Sequence, residues 1–256
     1  MDKEYFVKKD SIVREIWGKS DTILLIFAGA SAEFALNKAV DWLYFTGKLP
    51  EDPLGRLFSK VSYAREIVFS YRNSAIKAIE RMNHIHSSVE NERGKDIPDW
   101  AYRDVLFMLI DYSVRSYEIL ERKLKVSEKQ EVFNVFSEVG NLMHLKGLPE
   151  TYEQYLEMRE LHIRDHLYYG EYSRDLYQQY RKHLGWMRYR LLLETQIMIV
   201  PGLVRQYLGL RRFSMLGPFI KVFKISREIK LDRILKELIL PAQYKKEIKH
   251  LDKVTA

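Results

Sequence analysis

The chemistry open to this chain rests on histidine, acidic, basic and tyrosine side chains, because the sequence contains no cysteine. That absence excludes disulfides, thiolate nucleophiles, zinc ribbons and cysteine-held iron–sulfur clusters. The sequence also lacks a glycine-rich phosphate loop and a G-x-S-x-G nucleophile elbow. The histidines are therefore the first candidates for a metal or cofactor site.

Two histidines, His84 and His86, lie two positions apart in a stretch with helical periodicity. On an α-helix their side chains point about 200° apart, so only one of them can face the protein core. His86 shares its stripe with apolar residues, whereas His84 shares its stripe with charged ones. We expect His86 to face the core, either as a hydrogen-bonded core histidine or as the axial ligand of a haem iron.

A second pair, His162 and His166, has the i, i+4 spacing that lets two imidazoles bind one divalent metal. Glu157, Arg159 and Glu160 lie on the same segment and favour an ordinary solvated helix face. A hydrolase that uses a metal at the two histidines is kept as an alternative. A di-iron carboxylate bundle is not supported, because the sequence has no second Glu-x-x-His element.

Two cations, Arg56 and Lys60, lie four positions apart on a helix predicted to begin at Asp52 and Pro53 and to reach about Ser70. They border the apolar stripe of that helix. They are either ordinary surface residues or cations that pair with cofactor propionates or polarise bound oxygen.

The elements that hold these residues are predicted to be helical along the whole chain. The dominant hydrophobic period is that of an α-helix, and 12 Gly and 7 Pro in 256 residues are too few for the turns of an all-β chain. No internal repeat, linker or low-complexity tract is present. The sequence therefore predicts one all-α domain of roughly ten helices over residues 1–256.

Several helix boundaries follow from capping residues and helix breakers. Buried helix is expected over residues 22–32 and 195–204, which are uncharged. The other predicted features are a helix capped by Asn73 and reaching about residue 91, a helix from near Pro98 to Lys123, capping boxes at Ser127 with Gln130 and at Thr151 with Gln154, and breaks at Gly94, Gly147, Gly185, Pro201 and Gly209.

Charge and hydropathy narrow the classes of partner. The net charge is +7, but Lys and Arg alternate with Asp and Glu along helix faces, which is typical of solvated surface, so no nucleic-acid partner is predicted. No run approaches the roughly 18 apolar residues of a membrane span, and residues 1–10 do not read as a signal peptide. A cytoplasmic protein is expected, with peripheral membrane contact through residues 211–230, where aromatic and basic residues alternate.

An ordered series of short motifs extends from Ile23 to about Lys246. They are LLIFAGASAEFALNKAV at 24–40, DPLGRLFSKVSYAREIVF at 52–69, IHSSV at 85–89, DYSVRSYEIL at 111–120, LPETYEQY at 148–155, IVPGLVRQYLGL at 199–210 and LPAQYKK at 240–246. In this order and spacing they resemble the MpaB and latex-clearing-protein (rubber oxygenase) family of haem-dependent oxygenases.

The resemblance implies a haem b-dependent oxygenase that acts with O2 on an apolar, unsaturated substrate of isoprenoid or lipid type. His86 matches the axial iron ligand of the family, and Arg56 matches the Arg of its haem-pocket motif. Lys60 stands where the family has Thr, and Ser59 stands where latex-clearing proteins carry a Lys near the distal iron face. The resemblance therefore implies a distal side in which Lys60 takes over part of that role. The family's fold is all-α with a globin-like core.

The alternative hypothesis is a non-catalytic helical protein that binds a lipid or a partner at a membrane surface. It assigns His86 to a core hydrogen bond and gives residues 211–230 the role of an interfacial helix. The sequence leaves the identity of the substrate and the oligomeric state open.

Overall fold

The protein is helical throughout the part of the chain that the computed structural model describes, residues 4–45, 63–218 and 220. The helices are α1 (Ile12–Trp17), α2 (Ser20–Leu36), α3 (Asp41–Phe45), α4 (Arg72–Arg93), α5 (Asp99–Leu120), α6 (Val126–Leu142), α7 (Tyr152–Asp165), α8 (Glu171–Ile199) and α9 (Gly202–Tyr207). A short 3-10 helix, Lys38–Val40, joins α2 to α3, and residues 63–69 are also helical. Within these ranges there are isolated bridges but no β-sheet, so the all-α prediction is confirmed. The globin-like arrangement stays a prediction.

Helix α2 lies at the centre of the packing, because it is apolar on nearly every side. It packs mainly against α5 and α8, and residues 22–32 are largely buried as predicted. Gly29 lies directly against the ring of Tyr112 on α5, where a Cβ atom would have no room. This close approach lets Tyr112 reach along α2 to Glu33.

The predicted helix starts are partly correct. At α7, Thr151 Oγ1 accepts a hydrogen bond from Gln154 N (3.2 Å), so the predicted N-cap is confirmed. The Gln154 side chain accepts from Glu150 N (2.9 Å) and not from Thr151 N, so the reciprocal bond of the predicted box is shifted by one residue. The box at Ser127 is wrong, because the N-cap of α6 lies two residues earlier, at Lys125, and the reciprocal bond runs from Lys125 N to Glu128 Oε2 (2.7 Å). The cap at Asn73 is also wrong, since Tyr71 occupies the N-cap of α4.

The glycine breaks depend on where the backbone needs a positive φ. Gly94 ends α4 with φ 66°, and Gly185 kinks α8 with φ 70°, as predicted. Helix α6 ends before Gly147, because His144 adopts φ 58° and Leu145 N bonds to Gly140 O (3.1 Å). Histidine is one of the residues that tolerate this conformation. Gly147 itself has φ 66° in the loop that follows.

No helix in the described residues is both long enough and apolar enough to cross a membrane. The predicted helix from Pro53 to Ser70 is described only at its end, over residues 63–69. The rest of it, and most of residues 211–230, lie outside the described residues.

Candidate functional site

Helix α4 carries the two neighbouring histidines at the edge of the core. His84 is exposed and His86 is half-buried. His86 is therefore the more buried of the two, as the apolar stripe of His86 and the charged stripe of His84 predict. The fully buried residues of α4, however, all lie in its first two turns, at Ala75, Ala78 and Ile79. His86 therefore lies at the margin of the hydrophobic core and not inside it.

The imidazole of His86 meets the ring of Tyr102 on α5. The ring centroids are 5.0 Å apart and the planes meet at 60°, an edge-on contact. Tyr102 is held in turn by Glu90, whose Oε1 accepts bonds from the Tyr102 hydroxyl (3.0 Å) and from Ile97 N (2.9 Å). Burial and the Glu90 carboxylate raise the pKa of Tyr102, so it stays protonated and donates. His86 thus has a fixed aromatic neighbour.

A cavity of about 650 Å³ opens beside α4. Its described lining consists of Tyr63, Lys77, Glu80, Arg81, His84 and Ile85. The space is wide open to solvent, and half of these lining residues are charged. His84 contributes to the lining and His86 does not, so the described open space lies on the His84 face of the helix.

Arg56 and Lys60 lie outside the described residues, as does Ser59. Their predicted roles beside a haem therefore stay predictions. The described part of α4 offers one feature that suits such a group, the imidazole of His86 held against a fixed aromatic ring on a 22-residue helix. The described open space beside α4 lies on its His84 face and is not a pocket at His86.

Helix α7 turns His162 and Arg159 inward, which corrects the prediction of a solvated face. His162 is 7% exposed and Arg159 is 5% exposed, while Glu157 and Glu160 are exposed as expected. The two inward residues share a stripe with Tyr155. They can be buried because other helices supply carboxylates as partners.

The partner of both histidines is Asp104 on α5, which is 2% exposed. His162 Nδ1 contacts Asp104 Oδ1, and His166 Nδ1 lies 3.1 Å from each oxygen of the same carboxylate. Asn37 Nδ2 donates to Oδ2 at 2.8 Å. One ligand atom from each of Asp104, His162 and His166 lies within 4.8 Å of the other two, a donor set that suits a divalent metal.

Sequence reasoning missed Asp104. Its one signal is a carboxylate on the stripe that Ala101, Met108 and Tyr112 form at helical spacing on α5. Without knowledge of α7, that position reads as an isolated polar residue.

A second buried cluster joins α2, α5 and α7. The guanidinium of Arg159 donates to both oxygens of Glu33 and to Asp111 Oδ2 (3.0 Å). The Tyr112 hydroxyl donates to Glu33 Oε2 (2.8 Å), and Arg115 Nε donates to Asp111 Oδ1 (2.7 Å). Each carboxylate in this cluster meets a guanidinium, and Glu33 also accepts from the Tyr112 hydroxyl, which indicates a structural network.

The pKa shifts agree with this structural role. Burial alone would raise the pKa of Asp111, but the neighbouring guanidiniums of Arg159 and Arg115 hold it below its ordinary value. Burial would lower the pKa of Arg159, and Glu33 and Asp111 hold it well above its ordinary value. Burial and Glu33 raise the pKa of Tyr112. Asp111 therefore stays ionised, Arg159 stays charged and Tyr112 stays protonated at neutral pH.

Comparison with known proteins places these features in a family. The model of the family described as ER-bound oxygenase mpaB/B'/Rubber oxygenase, catalytic domain, matches residues 18–221. No curated protein and no solved structure matches the chain. The matched range contains α2 to α9 and His86, and it covers most of the chain. The chain therefore belongs to the ER-bound oxygenase mpaB/B′ and rubber oxygenase catalytic-domain family.

Proposed function

We propose that this chain is an oxygenase that binds haem b through His86 and acts with O2 on an apolar, unsaturated substrate of isoprenoid or lipid type. The observation that carries the proposal is the family match over residues 18–221, which includes α4 and its half-buried His86. A bound haem would supply an iron centre for oxygen chemistry. The residues of the chain would orient the haem and enclose the substrate.

The contacts around His86 support its role as the ligand. An iron-binding imidazole needs a rigid helix and neighbours that fix its ring. Helix α4 has 22 residues, and Tyr102 is fixed by Glu90 and closes one side of the imidazole. The absence of cysteine leaves no thiolate to compete as axial ligand.

Arg56 and Lys60 are proposed as the cationic partners of this site. A guanidinium forms two parallel hydrogen bonds with a carboxylate, which suits Arg56 to a haem propionate. Lys60 is a compact point charge that can polarise a bound oxygen molecule.

The cavity beside α4 makes His84 the competing ligand. It lines the open space, whereas His86 contacts Tyr102. Variants at the two positions separate the possibilities, because each removes one imidazole and leaves the other.

The absorption spectrum of the purified protein tests the proposal. We expect a Soret band after expression with an adequate haem supply, or after titration with haem. We also expect O2 uptake that an unsaturated hydrocarbon stimulates and its saturated analogue of equal length does not. The absence of a Soret band under both conditions would overturn the proposal.

A second candidate function, lipid binding at a membrane surface, is supported by residues 211–215. Phe213 and Met215 are 75% and 66% exposed, beside Arg211 and Arg212. This apolar and cationic combination is typical of interfacial segments. Glu194 on α8 anchors the segment by accepting bonds from Ser214 Oγ (3.0 Å) and Met215 N (2.7 Å).

Sedimentation with lipid vesicles tests the second candidate. We expect binding to anionic vesicles that weakens in the double variant Phe213→Ser, Met215→Ser and weakens on neutral vesicles. Co-purified lipid without a Soret band would favour this function over the oxygenase. Equal recovery of both proteins with every vesicle would exclude it.

A further inference from the structure

We propose that Asp104, His162 and His166 bind one divalent transition-metal ion of the zinc type, at a site separate from α4. The ligands are one carboxylate oxygen and the Nδ1 atoms of two imidazoles. The proposal goes beyond the oxygenase function and does not depend on it.

The distances are close to those of a coordination sphere. Zinc lies about 2.0–2.2 Å from nitrogen and oxygen ligands, so two ligand atoms of one tetrahedral ion are about 3.3–3.6 Å apart. The three ligand atoms here lie within 4.8 Å of one another, and His166 Nδ1 is 3.1 Å from either oxygen of Asp104. Small side-chain rotations bring all three to one ion.

The secondary structure aims both imidazoles at the same point. His162 lies in the last turn of α7 and His166 caps that helix, with His166 N bonded to His162 O at 2.9 Å. The partial negative charge at a helix C-terminus favours a cation there. The rings are also walled in, since Phe107 stacks on His162 and Trp100 contacts His166, with centroids 4.9 and 4.5 Å apart.

Asn37, just after α2, acts as an outer partner that orients the carboxylate. Its Nδ2 donates to Asp104 Oδ2 at 2.8 Å, and its Oδ1 accepts from Ala39 N at 2.8 Å. Because both ends of the amide are engaged, the amide is fixed with its nitrogen toward Asp104. Oriented carboxylates of this kind are common around metal ligands.

The donor set selects the class of ion. Calcium takes six to eight oxygen ligands and magnesium a mostly hydrated octahedron, whereas copper(I) prefers sulfur. Two imidazoles and one carboxylate suit zinc or a similar divalent ion, with the remaining position open to water. The His166 side chain is 22% exposed, so the ion can enter beside it.

Cobalt(II) titration of the tag-free protein tests the site directly. We expect visible d–d absorption that saturates at one equivalent and disappears on addition of zinc. The double variant His162→Gln, His166→Gln should lose this absorption, while His183→Gln, on α8, should retain it. Absence of the bands in the wild-type protein, or equal bands in the double variant, would overturn the proposal.

A graded variant tests the geometry without removing a ligand. Asn37→Ser keeps an oxygen that can accept from Ala39 N but loses the amide that donates to Asp104. We expect zinc to bind about 10–100-fold more weakly, as for other outer-partner variants. Affinity equal to that of the wild-type protein would contradict the proposed arrangement. Circular dichroism confirms the fold of each variant.

The test of this site is distinct from the test of haem binding. The Soret band reports porphyrin iron, whereas the cobalt bands and elemental zinc report the ion at Asp104. A negative result in one test therefore contradicts only one of the two proposals.

Discussion

Two groups of polar side chains differ in their surroundings: those at the contact of α2, α5 and α7, and those on α4. In the interior, Glu33, Arg159 and Asp111 each meet a charged partner from another helix. On α4, His84 and His86 lie at the margin of the core, and His84 borders a cavity. A closed network stabilises the fold by itself, whereas groups beside open space are available to an added ligand. The comparison therefore assigns a structural role to the interior network, whereas cofactor binding at α4 stays a proposal.

The Asp104 cluster lies between these two extremes. It is as buried as the Glu33 network, yet its members are all groups that ligate metals. Burial alone therefore does not distinguish a cluster that stabilises the fold from one that binds a metal; the types of side chain do.

The largest expected effect is at His86. His86→Ala should abolish tight haem binding or leave a weakly ligated spectrum, because it removes the proposed iron ligand. His84→Ala should leave the spectrum unchanged and the free energy of unfolding within about 0.5 kcal/mol. Absorption spectra with haem titration measure both. The reverse pattern would identify the cavity-lining His84 as the ligand. Small and equal effects of the two variants would show that neither histidine of α4 binds haem.

We expect replacement of Arg159 to disrupt the interior network. Arg159→Ala leaves the buried Glu33 without its cation, while Asp111 keeps Arg115, and the uncompensated Glu33 carboxylate should lower the free energy of unfolding by about 3–5 kcal/mol. Urea denaturation followed by circular dichroism measures the loss. The matched control is Arg164→Ala on the same helix, whose pair with Asp165 is exposed. Similar small changes in both variants would show that the network does not stabilise the fold.

A smaller effect is expected at Arg56, on the cofactor side of the comparison. Arg56→Ala should weaken haem binding by about 1.5–3 kcal/mol through loss of a charge-assisted contact. Haem titration gives the dissociation constant, with Arg174→Ala, an exposed arginine on α8, as the control. Wild-type affinity and turnover in the Arg56 variant would show that this residue is ordinary surface.

The smallest effect concerns the start of α7, the helix that carries Arg159 and His162 into the interior. Thr151→Ala removes the N-cap and should cost about 1 kcal/mol of stability. Ser127→Ala should change nothing measurable, because Ser127 lies inside α6 and Lys125 occupies its cap. Thermal unfolding of the two variants compares a formed N-cap with one that only the sequence suggests. Equal melting temperatures would show that the Thr151 cap contributes little.

The sequence alone determined the features that depend on neighbouring residues. The helical period indicated an all-α chain, Thr151 marked the start of α7, and Gly185 marked the kink in α8. The relative burial of His84 and His86 is also a local feature, because residues two positions apart on any α-helix point about 200° apart. Capping and periodicity act within a few positions, so they can be read from sequence.

The tertiary structure decided which charged residues are buried. Arg159 and His162 looked solvated because their neighbours in sequence, Glu157 and Glu160, are charged. Their partners come from distant segments: Glu33 lies 126 residues from Arg159. Burial of a charge depends on an opposite charge or hydrogen-bonding group nearby in space. Such a partner is supplied only when helices far apart in the sequence pack together, and the clusters at Glu33 and Asp104 therefore exist only in the folded chain.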